Sequence, residues 1–136
     1  MATQMPRFLT MLQIRSLHHR FAVPYVPLTQ PSMLESAINA PVNKNHYEKE
    51  HDVFRLAAIL AERIMKNHAF QDGNKRAALL AADMFLRVNG YYLQRVPFAE
   101  DAHTDGLAKA HVAVVTKKWT VEQLCDYYQS VALPVT

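Results

Sequence analysis

HDVFRLAAILAERIMKNHAFQDGNKRAALLAADMFLRVNG, residues 51–90, is the stretch on which the fold turns. Its first part, from about His51 to Lys66, carries Val53, Leu56, Leu60 and Ile64 at helical spacing with Ala57 beside them. Arg55, Glu62, Arg63 and Lys66 are left for the wet side. Its last part repeats the pattern: Ala77, Leu80, Ala81, Met84, Phe85 and Val88 form one broad stripe, closed by Asn89-Gly90, a common helix stop. Two apolar helices therefore flank a polar loop from His68 to Gly73. Gly73 is one of only three glycines in the chain, so its position in this loop asks for a reason. A glycine takes positive φ easily and lets an oxygen approach the main chain without meeting a Cβ.

Outside this stretch, composition points the same way. With 136 residues, 50% of them hydrophobic, the chain matches one ordinary domain, 1–136, whose core needs neither disulfides nor structural metal. Few glycines and an Ala-, Leu- and Met-rich middle favour helix over sheet, so the expected class is all-α, a compact helical bundle. Three capping boxes mark helix starts: Thr10 with Gln13, Ser32 with Glu35, and Thr120 with Gln123. The first predicts a helix that turns Leu12, Leu17 and Phe21 inward and ends before Pro24 and Pro27. The second predicts a short helix closing at Pro41, after which the polar, patternless VNKNHYEKE of residues 42–50 reads as a loop. Beyond Gly90, residues 91–93 read as a short extended piece and residues 107–115 as helix. The Thr120 helix carries Val121, Leu124, Cys125 and Tyr128 inward.

Several function classes lose ground here. The single Cys125 has no partner for a disulfide or a thiolate zinc site, which suits a reducing compartment such as the cytoplasm. No run approaches the apolar length of a membrane span, and MATQMPRFLT lacks the pattern of a secretory signal. The net charge of +3 is scattered apart from Lys75-Arg76 and Lys117-Lys118, weak support for nucleic acid and equally suited to a phosphate-bearing small ligand. His18, His19, His46, His51, His103 and His111 show no spacing that forms a metal site with nearby acids. Cys125 is expected to pack as a small apolar group, and Trp119, Tyr127 and Tyr128 to serve core or a partner face rather than base stacking. A P-loop is excluded, because no Gly-x-x-x-x-Gly-Lys-Ser/Thr string exists.

The loop at 68–76 carries the chemistry. A helix opening near Asn74 presents unpaired N–H groups and the positive end of its dipole, a ready anion site. Lys75 and Arg76 add positive charge, Arg76 as a planar fork suited to phosphate oxygens, and Asp72 is the right hard ligand for Mg²⁺ riding on a phosphate. His68 stands four residues before Asp72, and an imidazole ordinarily titrates at about 6.5, so it can accept a proton near neutral pH. Each piece alone has a plain reading: Asp-Gly-Asn turns chains into helices, and Lys-Arg pairs are usually solvated surface. Two cations in a first helical turn, however, oppose the dipole by roughly 0.3–1 kcal/mol each unless an anion visits.

His68-Ala-Phe70-Gln-Asp72-Gly73-Asn74-Lys75-Arg76 resembles the Fic/Doc family signature, His-x-Phe-x-Asp/Glu-Gly-Asn followed by a phosphate-binding turn. In detail it looks closest to the Doc (death-on-curing) branch. The likeness extends through LESAI at 34–38, the long helix, and FLRVNG at 85–90. The resemblance implies a helical bundle that moves part of a nucleoside triphosphate such as ATP, with Mg²⁺, onto a Ser, Thr or Tyr hydroxyl of a target protein. His68 would be the base, Asp72 the Mg²⁺ ligand, and Gly73, Asn74, Lys75 and Arg76 the phosphate-binding turn, with Arg76 counted among the catalytic residues. Asn74 would also organise the loop, and Phe70 would anchor it in the core. Residues 42–50 sit where the family places a flap that aligns the target.

Departures from the signature separate two reactions. Adenylyl-transferring members usually have Gly where this chain has Lys75 and a second Arg where it has Leu79, and both changes match Doc. The resemblance therefore favours γ-phosphoryl transfer, a protein kinase activity of toxin type, with protein adenylylation (AMPylation) as the alternative. A translation factor is the target class it suggests. No Ser or Thr is followed four residues later by Glu, the family's internal restraint, so restraint is expected from a separate antitoxin-like chain. The reading from a different class is a non-catalytic nucleotide- or nucleic-acid-binding module.

Overall fold

The computed structural model describes residues 5–22 and 28–135, and of residues 21 and 22 the backbone only. Helix α1 (Met11–Leu17) runs into a π-helical turn (His18–Ala22) and is followed by α2 (Pro31–Glu48), α3 (Val53–Asn67) and α4 (Asn74–Val88). Strand β1 (Tyr91–Tyr92), α5 (Ala102–Val115), α6 (Val121–Val131) and β2 (Leu133–Pro134) complete the order. β1 and β2 pair antiparallel, Tyr91 opposite Pro134 and Tyr92 opposite Leu133. The class is all-α, as expected.

Helix α3 is the axis. It packs against α2, α4, α5 and α6, so Leu56 through Ala61 are buried without a break, with Ile64 and Met65 beyond them. A helix buried along six consecutive residues belongs in the middle of a bundle, and Arg63 and Lys66 further along keep one exposed side. Asp52 starts it, its carboxylate accepting from Phe54 N at 2.9 Å and Arg55 N at 3.4 Å. The capping boxes at Thr10 and Thr120 are both formed, and α4 ends at Asn89 as read.

The N-terminal half departs from the sequence reading in four places. Ser32 and Glu35 form no capping box: α2 begins at Pro31, behind Gln30, without a side-chain cap. Proline at the first helical position is itself a start signal, its missing N–H being one of the orphans there. The helix does not close at Pro41 but runs through it to Glu48, and residues 42–48 are helix rather than loop. The buried set Leu34, Ala37, Ile38, Pro41 and Asn45 recurs at helical spacing, and that packing against α3 outweighs the cost of one absent hydrogen bond. Lys44–Glu48 at 2.8 Å supports the exposed face, and the buried Asn45 amide donates to Glu50 O at 2.8 Å where Lys49 leaves the helix at φ 57°. The flap loop expected over residues 42–50 is thus mostly helix. Finally, Leu12 is 74% exposed and Ile14 faces the core in its place. The inward turn of Phe21 and the stop before Pro24 and Pro27 lie outside the described residues.

The valine-rich residues 112–115 form the last turn of α5. Asp101 caps that helix by accepting from Thr104 N at 2.7 Å, which holds its carboxyl below the usual range. In the core, His111 Nδ1 lies 2.7 Å from Leu107 O, a pure acceptor, so Nδ1 carries the proton and Nε2 accepts from the Tyr128 hydroxyl at 2.5 Å. Burial lowers the His111 pKa to about 4 and raises that of Tyr128, the Asp83 charge adding to the latter. Cys125 is buried, and burial together with Asp52 and Asp126 raises its thiol to about 11. It packs as the small apolar group expected.

The C-terminal end of α4 is held by a buried carboxylate. Asp83, 4% exposed, accepts from Leu93 N at 2.7 Å and Gln94 N at 3.2 Å through Oδ1 and from Arg87 Nε at 3.1 Å through Oδ2. Arg87 also donates to Gln94 O, and Gln94 Oε1 accepts from Phe98 N at 2.9 Å. These bonds fold residues 93–98 back along α4.

Candidate active site

The loop between α3 and α4 turns at two left-handed residues. His68 closes α3 at φ 48° and ψ 47°, with its side chain exposed. Gly73 opens α4 at φ 77° and ψ 21°, and this is why a glycine stands there. A left-handed residue bearing a Cβ, as at His68, costs energy that the surroundings must supply.

Those surroundings pin the loop from three directions. Residues 28–30 lie alongside it: Leu28 bridges to Phe70, and Ala69 O accepts from Thr29 N at 3.1 Å, Gln30 N at 3.0 Å and Thr29 Oγ1 at 3.2 Å. From the π-helical turn, His18 donates through Nε2 to Asp72 O at 2.8 Å and stacks on Phe70 at 3.7 Å between ring centroids. From α4, the Asn74 amide closes a two-way pair with one residue, donating to Phe70 O at 2.9 Å and accepting from Phe70 N at 3.2 Å. Phe70 is 3% exposed, behind the loop rather than in front of it.

With the main chain fixed, the predicted side chains converge. His68, Asp72, Gly73, Asn74, Lys75 and Arg76 line one cavity of about 550 Å³, together with Gln71, Met65 and Val115. Asp72 is exposed and its Oδ1 accepts from Gly73 N at 2.7 Å. Among the described residues no group of three His, Cys, Asp or Glu side chains is placed to hold a metal. A single carboxylate fits Mg²⁺ only where the ion brings waters and phosphate oxygens for its other positions, which is how that ion usually sits in nucleotide sites. Helix α4 opens here with no side-chain cap and no acid in its first turn, and its first residues include Lys75 and Arg76.

A second cavity, of about 420 Å³, shares Lys75 and Arg76 with the first and is lined beyond them by Leu79, Phe98, His111 and Val112 among others. The Arg76 guanidinium carbon stands over the Phe98 ring, 4.6 Å from its centroid. Phe98, His18, Thr29 and Gln30 are the site's neighbours that sequence reading missed. They reach the loop from distant positions, and no local pattern announces them.

Comparison with known proteins gives two matches. The Fic/DOC family profile matches residues 8–86, more than half of the chain. Over 97 residues the chain is 31% identical to "Protein kinase doc" of Escherichia phage P1, a match covering 71% of this chain and 76% of that protein. The described residues include no helix long and apolar enough to cross a membrane. On its signature loop, its helical fold and these two matches, the chain belongs to the Fic/Doc family, in its Doc branch.

Proposed function

We propose that the chain is a protein phosphotransferase that moves the γ-phosphoryl group of ATP, or of a related nucleoside triphosphate, to a Ser, Thr or Tyr hydroxyl of a target protein. One observation carries the reading: the uncapped, dicationic start of α4 and the His68 side chain line the same cavity. The N–H groups of the first turn, Lys75 and the Arg76 fork receive the phosphate oxygens, and Gly73 leaves room for them. Mg²⁺, when bound with the nucleotide at Asp72, neutralises charge between the phosphates. His68 takes the proton of the target hydroxyl as that oxygen forms its bond to the γ-phosphorus. The bond from phosphorus to the bridging oxygen breaks, and the nucleoside diphosphate leaves with that electron pair. Asn74 and Phe70 hold the loop so that His68 and the phosphates keep their separation.

Two residues and one relative favour γ-transfer over adenylylation. Lys75 occupies the position of an open glycine in adenylyl-transferring members. Leu79, 3% exposed, occupies that of their second arginine. The phage P1 relative carries the name of a protein kinase. A growth-inhibiting role against a translation factor, with a separate antitoxin-like chain as restraint, is the biological setting that the Doc branch suggests.

The test is ATP labelled at the α or the γ phosphate, incubated with Mg²⁺ and a lysate, followed by mass spectrometry of the labelled protein. Protein-bound γ label is the expected result. Bound α label instead assigns adenylylation. A chain that binds no nucleoside triphosphate by calorimetry is no enzyme of this kind.

A further inference from the structure

We infer that Phe98 is a positioning residue for Arg76, holding the guanidinium ready for phosphate. The inference rests on the reading of the His68–Arg76 cavity as a phosphoryl-transfer site. Arg76, Leu79 and Asp83 follow one another at helical spacing on α4, and residues 93–98 run back along that line. Gln94 and Leu93 bind Asp83 through their N–H groups, and Phe98 reaches Arg76. Phe98 takes a left-handed backbone, φ 57°, unusual for an aromatic residue, and its N–H is fixed by the Gln94 side chain, itself 1% exposed. Strain of this kind persists only where neighbours impose it. Here the neighbours form a chain of bonds from the buried Asp83 to a ring that lies over a cation. The face of the ring attracts the cation and bears no formal charge of its own. A long side chain already held near its bound position also loses less freedom when phosphate arrives.

The experiment is a double-mutant cycle on ATP affinity and γ-phosphoryl transfer, with Phe98→Leu, Arg76→Gln and the pair, each checked by a melting curve. Phe98→Leu is expected to weaken ATP binding by about 3- to 10-fold. The loss should vanish in the Arg76→Gln background, because the ring acts through that residue. Phe98→Tyr, which keeps the ring, should behave as wild type. Equal binding and transfer by wild type and Phe98→Leu overturns the inference alone. So does a loss that persists in the Arg76→Gln background, or a folded Phe98→Tyr as weak as the leucine variant. A wild-type chain that binds no nucleoside triphosphate overturns the reading of the site, and this inference with it.

Discussion

At its C-terminal end α4 places Arg87 beside Asp83 and Gln94 O, and the Asn89 amide donates to Phe85 O at 2.7 Å and Arg7 O at 2.9 Å. At its N-terminal end the same helix has a glycine for a cap, no acid in the first turn, and Lys75 and Arg76 at the positive pole of the dipole. Side chains cap α1, α3, α5 and α6; α2, which opens on a proline, and α4 have none. A cation in the last turn is favourable and one in the first turn unfavourable, by about 0.3–1 kcal/mol each way. One end of the helix is built for stability. The other leaves its first-turn N–H groups without a side-chain cap, where an anionic ligand is suited to sit.

The comparison breaks most visibly if the ends fail to separate activity from stability. His68→Ala should lower transfer by about 10²–10⁴, with ATP affinity retained and unfolding free energy within about 1 kcal/mol of wild type. Kinetics and a urea melt on one preparation decide it, and transfer near the wild-type rate removes His68 as the base. Asp83→Ala should do the opposite. It leaves two buried N–H groups and the Arg87 Nε–H without their acceptor, at a cost of about 2–4 kcal/mol in the same melt. A loss below about 1 kcal/mol would mean that water replaces the carboxylate and that the fixed end is softer than described.

A pH series sharpens the stable side. His111 is neutral in the fold, with its pKa lowered to about 4, whereas the unfolded chain takes up that proton below about 6.5. The unfolded state therefore binds more protons between those values. The stability that His111 contributes is complete above about 6.5 and is lost as pH falls toward 4, on the order of 3 kcal/mol in all. His111→Gln should flatten that part of the stability profile, and an unchanged slope would assign the acid sensitivity to other groups. The smallest effect tests the other pole. Lys75→Glu should raise the stability of the ligand-free protein by about 0.5–1.5 kcal/mol while weakening ATP binding. A variant less stable than wild type would show that Lys75 is there for the fold.

How far the sequence could be read follows from the range of the interactions. The signature loop and the helices on either side were legible because their signals are local: an apolar stripe, a glycine before a helix, cations after it. His68, Asp72 and Arg76, all on that loop or the helix start after it, line one cavity. The length of α2 was not legible as read, since Pro41 and the polar residues after it argue for a break. The spacing of Leu34, Ala37, Ile38, Pro41 and Asn45 held the contrary signal. His18 and Phe98 had no local signal at all. Their importance comes from contacts with Asp72 and Phe70, and with Arg76, which only the folded chain brings together.

The burial of Cys125 has a practical consequence. Alkylating reagents attack the thiolate, and a thiol raised to about 11 is ionised near neutral pH in roughly one molecule in ten thousand. The native chain, whose single cysteine this is, therefore serves as its own silent background for labelling. A cysteine introduced at Val96, 59% exposed and two residues from Phe98, would accept a maleimide dye by itself and report in real time on changes in the segment that carries Phe98.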